Sequence, residues 1–206
     1  MEVMSQSPIL LLLPTRDRPQ SLGEAIASFI ACGSGLFDIL VIQGHGGPVP
    51  AMNSVQMDLI RKYEVIGIVA DDCRMRTAKW DELVLRHLRP RPGLLYGRDG
   101  IQDQRIATHP FISSRIIAAL GFIFPPEIHN FYADNYLMEL ARANNALIYD
   151  PELFLEHMHH SVGKSPHDAT YAQSEQHYAH DTPAWNQYCQ SKLAQDVDRI
   201  RPVFIQ

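Results

Sequence analysis

Two short stretches of the sequence carry residues that could bind a metal ion or move a proton. "VADDC" contains the adjacent carboxylates Asp71 and Asp72, and "FLEHMHHSVGKSPHD", from Phe154 to Asp168, contains four of the ten histidines. Adjacent carboxylates repel each other unless a cation or hydrogen-bond donors offset their charge, and hard divalent cations prefer oxygen ligands. The pair therefore indicates a metal or ligand site or, alternatively, a helix cap in which Asp72 precedes the helix around Trp80.

The histidine-rich segment predicts two imidazoles on one face. In an extended chain, His157 and His159 point to the same side and Met158 points to the other. Two such imidazoles could share a metal ion, or one could bind it while the other orients a phosphate. Zinc fits less well, because H-E-x-x-H is absent and no cysteine lies nearby. The alternative is an exposed polar loop, and this interpretation is given to the other histidines of the region, which are His160, His167, His177 and His180.

Further polar residues stand at the ends of predicted elements. In "PTRDRP", Arg16 and Arg18 could bind a phosphate or stack on a base, because a guanidinium is planar and always charged. The alternative is a polar turn in which Asp17 pairs with a neighbouring arginine. In "YADN", Asp134 lies in the first turn of a helix, where it either complements the helix dipole or acts as a general base.

The first half of the chain predicts the framework that must position these residues. Short apolar runs alternate with helical periodicity, which indicates a mostly parallel sheet covered by helices on both faces. The predicted strands are "PILLLL", "FDILVIQG", "VIGIVA" and "GLLYG", and the helices between them are "RPQSLGEAIASFIACG", "SVQMDLIRKY" and "AKWDELVLRHL". Ligands bind beyond the carboxyl ends of such strands, so we expect the polar residues that follow them to converge.

The second half is less regular. It predicts a helix in "SSRIIAALG", a second helix in "YADNYLMELARANN", and a strand in "ALIYD" that leads into the histidine-rich segment. From Asp168 onward, the sequence is typical of amphipathic helices, with a break expected at Pro183. These helices are expected to pack on the core or against a partner.

Composition narrows the classes of protein. The chain has 206 residues, of which 46% are hydrophobic and 20% charged, as in an ordinary globular domain. Its net charge of −5 provides no overall basic field for nucleic acid. The run "ILLLL" is too short to span a membrane. Three cysteines without C-x-x-C spacing argue against a disulfide scaffold and favour a reducing compartment, so a cytoplasmic location is expected.

Taken together, these motifs resemble those of GT-A glycosyltransferases, specifically the family 2-like inverting enzymes and their small bacteriophage and bacterial members. The resemblance covers about residues 7–171 and rests on "PTRDRP", "GIVADDC", "YADN" and a late H-x-H, in that order. It implies a GT-A (Rossmann-like) domain over residues 1–167, with a mostly parallel central sheet, and a helical C-terminal extension over residues 168–206. The implied activity is metal-dependent transfer of a sugar from a nucleotide diphosphate sugar, with UDP as the expected nucleotide, to an acceptor hydroxyl.

The resemblance also implies roles for individual residues. Asp134 matches the catalytic base, and "ADDC" stands where the family has a D-x-D element, with Cys73 in place of a second spaced aspartate. Asp99, in "GRDG", would face the acceptor. The residues implied for the nucleotide and its diphosphate are Pro14, Thr15, Arg16, Arg18, Asp71 and Lys164. The residues implied for Mn²⁺ or Mg²⁺ are Asp71, Asp72, His157 and His159, without a choice within either pair.

The sequence is also compatible with two other functions. A sugar-phosphate nucleotidyltransferase shares this α/β architecture, but "PTRDRPQSLG" has only one glycine where that class usually has a glycine-rich loop. A non-catalytic nucleotide-sugar or glycan-binding module would be compatible with the departure at Cys73. The acceptor could be a glycan, a protein or a modified nucleic-acid base.

Overall fold

The computed structural model describes residues 7–44 and 46–205, so residues 1–6, His45 and Gln206 lie outside it. The described residues form an α/β fold around a seven-stranded sheet. The strands are β1 (Ile9–Thr15), β2 (Phe37–Gln43), β3 (Val65–Ile68), β4 (Cys73–Met75), β5 (Leu94–Arg98), β6 (Phe111–Ser113) and β7 (Leu147–His157). The α-helices are α1 (Pro19–Cys32), α2 (Pro48–Asn53), α3 (Met57–Ile60), α4 (Trp80–Leu88), α5 (Ser114–Leu120), α6 (Ala133–Ala143), α7 (Ala169–Gln176), α8 (Tyr178–Ser191) and α9 (Leu193–Ile200).

The direction of the strands confirms the predicted, mostly parallel sheet. The strand order is β2-β1-β3-β6-β5-β7-β4. The pairs β1–β2, β1–β3 and β5–β7 are parallel, and β6 is antiparallel to both β3 and β5, so β1, β2, β3, β5 and β7 share one direction. The carboxyl ends of these strands therefore lie at the same edge of the sheet.

Strand β1 shows why its sequence is apolar at nearly every position. Leu10 and Leu12 pack in a layer with α5, α6, α8 and α9, whereas Ile9, Leu11 and Leu13 pack in a layer with α1 and α4 on the opposite face. A strand covered on both faces requires a continuous apolar run, because alternate side chains enter two separate hydrophobic layers.

Several elements differ from the sequence-based expectation. The two three-residue strands β4 and β6 were not predicted, and the helix expected over "SVQMDLIRKY" is reduced to the four residues of α3. Strands this short carry no periodicity of their own. Their extended backbone is fixed by pairing with β7 for β4 and with β3 and β5 for β6.

The expected helix break at Pro183 is wrong. Helix α8 continues through Pro183 and is stabilised by the buried rings of Trp185 and Tyr188. The carbonyl of Ala179, which would accept the missing N–H, belongs to an exposed residue and can bind water instead. Among the described residues, no helix combines the length and hydropathy needed to cross a membrane.

Candidate nucleotide-sugar site

Asp71 and Asp72, called the acid pair below, lie where the carboxyl ends of β1 and β3 meet, and both carboxylates are buried. The Thr15 hydroxyl donates to Asp71 Oδ2 at 2.7 Å, and Arg18 Nη1 donates to Asp71 Oδ1 at 3.3 Å. Burial raises the pKa of Asp71, against the effect of Thr15. The Tyr171 hydroxyl donates to Asp72 Oδ2 at 2.7 Å. The alternative that Asp72 caps a helix is wrong, because β4 intervenes and Lys79 occupies the N-cap of α4.

His157, the last residue of β7, lies between two carboxylates. Its Nε2 is 3.5 Å from Asp72 Oδ2, and its Nδ1 is 3.8 Å from Asp99 Oδ2. Burial alone would lower the pKa of His157, but the two carboxylates outweigh it and raise this pKa to about 9. In turn, His157 holds the pKa of Asp72 well below its usual range, although burial opposes this. At neutral pH the imidazole is therefore protonated and acts as a fixed cation.

Asp99 follows β5 and is almost completely buried. Its Oδ1 accepts hydrogen bonds from the backbone N–H groups of Ile101, Gln102 and Asp103, at 2.6–2.9 Å. Its Oδ2 has no hydrogen bond within the described residues and faces His157. The acceptor-facing role predicted for Asp99 stays a prediction. The contacts place this carboxylate at Nδ1 of His157, whereas Asp72 lies at Nε2.

Asp134 lies in the first turn of α6, as expected from the sequence. It is partly buried, and within the described residues its carboxylate makes neither a hydrogen bond nor an ion pair. Burial raises its pKa to about 7, with the positive charge of His157 and the negative charge of Asp99 acting in opposite directions. A carboxylate without partners and with a pKa near neutrality has the properties of a general base.

A cavity of about 510 Å³ opens beside these groups. Its lining contains four residues predicted to hold the nucleotide, together with the acid pair and two of the histidines: Pro14, Thr15, Arg16, Arg18, Asp71, Asp72, His157 and His159. Asp134 is not among the lining residues within the described part of the chain, although the charges of His157 and Asp99 reach it.

Lys164 lies outside this cavity. Its Nζ donates to Glu156 Oε1 at 2.7 Å, and the residue lines a second cavity of about 510 Å³. Arg18, Asp72 and Tyr171 line both cavities and therefore form the wall between them. The structure thus brings the nucleotide-binding candidates at and after the end of β1 together with the acid pair, but it separates Lys164 from them.

Two residues at the start of the predicted C-terminal extension also belong to the site and were not predicted from the sequence. Asp168, at the start of α7, accepts two hydrogen bonds from the Arg18 guanidinium at 2.6 and 2.7 Å. Tyr171 places its ring 4.0 Å below the same guanidinium and its hydroxyl on Asp72. In the sequence, only the N-cap pattern at Asp168 indicates these two residues. Their partners Arg18 and Asp72 lie 150 and 99 residues away, respectively.

His109 was also missed, since no neighbouring residue of "RIATHPF" indicates chemistry. Its backbone is left-handed, with φ 48°, and its ring meets His157 edge-on at 4.8 Å. Its Nε2 is buried without a hydrogen-bond partner within the described residues. Burial and the neighbouring charge of His157 lower the pKa of His109 to about 4, so it lines the cavity as a neutral imidazole.

The prediction that four other histidines lie in an exposed polar loop is only partly right. His160 and His177 are half-buried and line the cavity, because α7 folds back over it. His167 and His180 are the more exposed pair. His159, predicted as a metal ligand, packs edge-on against Tyr171, and burial together with the charge of His157 lowers its pKa to about 4.

The acid pair fits a divalent cation in one specific respect. Asp72 Oδ2 is taken by Tyr171 and His157, whereas Asp72 Oδ1 makes no hydrogen bond within the described residues. Magnesium-like ions are commonly held by one or two carboxylates together with substrate phosphates. The predicted set does not converge as a complete protein cage; the groups that do converge among the described residues are His129, His180 and Asp181, and His160, His167 and Glu175.

Solved structures resemble the chain in fold. The mannosyltransferase PcManGT from Pyrobaculum calidifontis, in complex with GDP-Man and Mn²⁺, superposes with a TM-score of 0.61 at 12% identity, over 95% of this chain and 73% of that one. TarS 1–349 from S. aureus, in complex with UDP, gives 0.54 at 13% identity, over 71% and 59%. The chain therefore has a GT-A-like fold. No protein-family model matches it, and neither does any curated protein sequence.

The GT-A-like fold accounts for the placement of the site. Four of the co-directed strands, β1, β3, β5 and β7, end beside the cavity residues Thr15, Asp71 and His157 and the buried Asp99. The chain spans only 36% of the longer TarS structure and 59% of the shorter one. Shared architecture therefore extends to part of TarS, and to most of PcManGT.

Proposed function

We propose that this protein is a metal-dependent inverting glycosyltransferase that moves a sugar from a nucleotide diphosphate sugar to an acceptor hydroxyl. The observation that carries the proposal is the pairing of two features at one edge of a GT-A-like sheet. The first is a cavity lined by the acid pair and two arginines. The second is the carboxylate of Asp134, which has no hydrogen-bond or ion-pair partner within the described residues. UDP is the expected nucleotide, and TarS binds UDP in its crystal structure.

In this proposal Asp134 is the general base. Its carboxylate removes the proton of the acceptor hydroxyl, the hydroxyl oxygen forms a bond to the anomeric carbon, and the bond from that carbon to the diphosphate oxygen breaks. The diphosphate leaves with the bonding electrons, and the configuration at the anomeric carbon inverts. A pKa of about 7 leaves a large fraction of Asp134 ionised at neutral pH, which suits this role.

The leaving diphosphate requires positive charge, and the cavity supplies it. Arg16 and Arg18 line the cavity, and His157 is held protonated by Asp72 and Asp99. Asp72, through its open oxygen, and Asp71 are the residues proposed to hold Mn²⁺ or Mg²⁺. When bound, this ion would neutralise charge on the diphosphate as a Lewis acid. His157 would serve beside it as a cation unless it gives up its proton and becomes a ligand.

The nucleotide is proposed to lie along Pro14, Thr15, Arg16 and Arg18. Arg18 is already oriented by Asp168 and by the ring of Tyr171, so its guanidinium loses little freedom when it binds a ligand. Lys164 would reach the diphosphate only if its contact with Glu156 were exchanged. The acceptor, whether a glycan, a protein or a modified nucleic-acid base, would approach from the side of Asp134.

The proposal is tested by incubating the protein with a panel of UDP- and GDP-sugars, with Mn²⁺, with Mg²⁺ and with neither, while nucleotide release is measured. We expect metal-dependent release from at least one donor, strongly reduced in Asp134→Asn. Glu139→Gln is the matched control, because it removes a carboxylate from the solvent side of the same helix. Absence of binding and release with every donor would contradict the proposal. Pyrophosphate release from a nucleoside triphosphate and a sugar phosphate would instead support nucleotidyl transfer, and donor binding without release would support a binding module.

A further inference from the structure

A second group of potential metal ligands lies outside the acid pair, where α8 meets the loop before α6. His129 belongs to this loop, and His180 and Asp181 belong to the first turn of α8. The distance between the two Nδ1 atoms is 3.1 Å. Asp181 Oδ1 lies 2.9 Å from His180 Nδ1 and 3.4 Å from His129 Nδ1. Three ligand-type atoms from two distant segments thus form one small triangle.

Asp181 is fixed in this position before any ion binds. It is fully buried, and its two oxygens accept hydrogen bonds from the backbone N–H groups of His129, Asn130 and Phe131, at 2.8–3.0 Å. The carboxylate therefore cannot rotate away without leaving three backbone amides without their acceptor, which is costly. The two imidazoles are half-buried and exposed, respectively, so an ion could reach the triangle from solvent.

Hydrogen bonds alone cannot satisfy all three atoms of this triangle. If both Nδ1 atoms carry hydrogen, the two N–H groups face each other across 3.1 Å. If only one does, its hydrogen can serve only the two contacts of its own nitrogen, and the third edge joins two lone pairs. A metal ion satisfies all three atoms at once. In a tetrahedral zinc site, with bonds of about 2.0–2.1 Å, neighbouring ligand atoms are about 3.3–3.4 Å apart. The observed edges of 2.9, 3.1 and 3.4 Å are close to this spacing.

We propose that His129, His180 and Asp181 bind a transition-metal ion of the zinc type, with water in the fourth position. Two imidazoles and one carboxylate are a ligand set that such ions accept readily. The ion would tie α8 to the loop before α6. The ring of His177, which lines the nucleotide cavity, stacks on His129 at 5.2 Å, so the ion would also stabilise that wall of the cavity.

This site does not depend on the proposed glycosyl transfer. Its ligands are none of the residues proposed to hold the diphosphate-bound ion, and it would be present without nucleotide. The other converging group, His160, His167 and Glu175, provides an internal comparison. There, His160 Nε2 and His167 Nε2 lie 3.6 and 3.0 Å from Glu175 Oε1, but Glu175 is an exposed side chain without backbone hydrogen bonds within the described residues.

The test uses Co²⁺ as a spectroscopic probe on the full chain, freed of metal by a chelator and kept without nucleotide. We expect visible absorption bands typical of four-coordinate Co²⁺, displaced by Zn²⁺, in the wild type and in the control His167→Gln. The variants His129→Gln and His180→Gln should each bind Co²⁺ at least about tenfold more weakly, because each loses one of three ligands. Asp181 is left intact, since its removal would disturb the fold.

Thermal unfolding gives an independent readout. Zn²⁺ should raise the melting temperature of the wild type and of His167→Gln, and the increase should be lost in His180→Gln. Absence of Co²⁺ bands in the wild type would overturn the proposal. Loss of the bands in His167→Gln, with retention in His180→Gln, would overturn it as well and would assign the ion to the other group.

Discussion

Two buried aspartates, Asp72 and Asp181, are stabilised in opposite ways. Asp181 uses both oxygens to accept backbone N–H groups from one loop. Asp72 instead relies on side chains, with Tyr171 and His157 at one oxygen, while its other oxygen makes no hydrogen bond within the described residues. Both are almost inaccessible to solvent, with exposed fractions of 0% for Asp181 and 6% for Asp72. Burial alone therefore does not distinguish a carboxylate held by backbone amides from one held by side chains.

The difference lies in what each carboxylate can exchange. Backbone amides cannot turn away without a change in the loop, so the carboxylate of Asp181 keeps its orientation. Side-chain partners can rotate, and an open oxygen can take a new partner, so Asp72 can meet a ligand without unfolding its surroundings. A carboxylate held by movable partners beside a cavity is thus suited to a substrate that binds and leaves, whereas a fixed carboxylate such as Asp181 is suited to a resident ion.

The largest expected effect tests whether the candidate site around Asp72 and His157 is catalytic. Asp134→Asn keeps the shape of the side chain but removes the base, so we expect transfer to fall by about 10²–10⁴-fold with the fold retained. The measurement is the initial rate of nucleotide release at saturating donor. Because Asp134 must be ionised, the wild-type rate should rise with pH through about 7, and this limb should be absent from the residual activity of the variant. An unchanged rate would remove Asp134 from the mechanism.

The second effect tests the structural side of the comparison. Asp181→Ala leaves three backbone N–H groups without their acceptor, and each such loss costs about 1–3 kcal/mol, so we expect the free energy of unfolding to fall by at least about 3 kcal/mol. Chemical denaturation measures it. Asp198→Ala is the control, because this exposed aspartate forms an ion pair with Arg201 alone among the described residues and should change stability by less than about 0.5 kcal/mol. Equal losses of unfolding free energy in the two variants would show that the backbone hydrogen bonds of Asp181 contribute no more than a surface ion pair.

The third effect tests ligand binding at Asp72. Asp72→Asn removes one charge from the cavity, and we expect metal-assisted binding of the nucleotide sugar to weaken by about tenfold or more, since contacts of ions contribute about 1.5–3 kcal/mol. Calorimetric titration with and without Mn²⁺ measures it. Asp17→Asn removes the same charge from an exposed neighbour and should leave affinity almost unchanged. Equal affinities of wild type and Asp72→Asn would contradict the binding role.

A fourth effect follows from the raised pKa of His157. Its pKa rises from 6.5 to about 9 in the folded protein, so its contribution to stability is complete below pH 6.5 and is lost as pH rises through about 9. We expect the free energy of unfolding to decrease over this interval, and to decrease less in Asp72→Asn, where one partner is lost. The His157 ring signals in NMR titrations should show a lower pKa in that variant. A pKa near 6.5 in the wild type would show that the two carboxylates do not hold the proton.

The smallest effect concerns a movable partner of Asp72. Tyr171→Phe removes one hydroxyl from Asp72 Oδ2, while His157 remains near that oxygen. We expect a loss of about 1 kcal/mol in stability, with nucleotide-sugar affinity changed by no more than a few-fold. Denaturation and calorimetry check both values. A loss as large as that of Asp181→Ala would show that the partners of Asp72 are as fixed as backbone amides.

The sequence by itself determined the framework and the placement of the acid pair. The apolar runs of β1 and β3 are local signals of buried parallel strands, and residues that follow such strands must lie at one edge of the sheet. The start of α6 likewise placed Asp134 by local pattern alone.

Only the tertiary structure decided which side chains surround these groups. Tyr171 meets Asp72 across 99 residues, Asp168 meets Arg18 across 150, and the backbone amides that hold Asp181 come from a loop about 50 residues earlier. Such contacts leave no periodicity in the sequence, because they depend on how α7 and α8 pack over the sheet. The short strands β4 and β6 and the uninterrupted α8 were missed for the same reason: their conformation is imposed by neighbours rather than by their own residues.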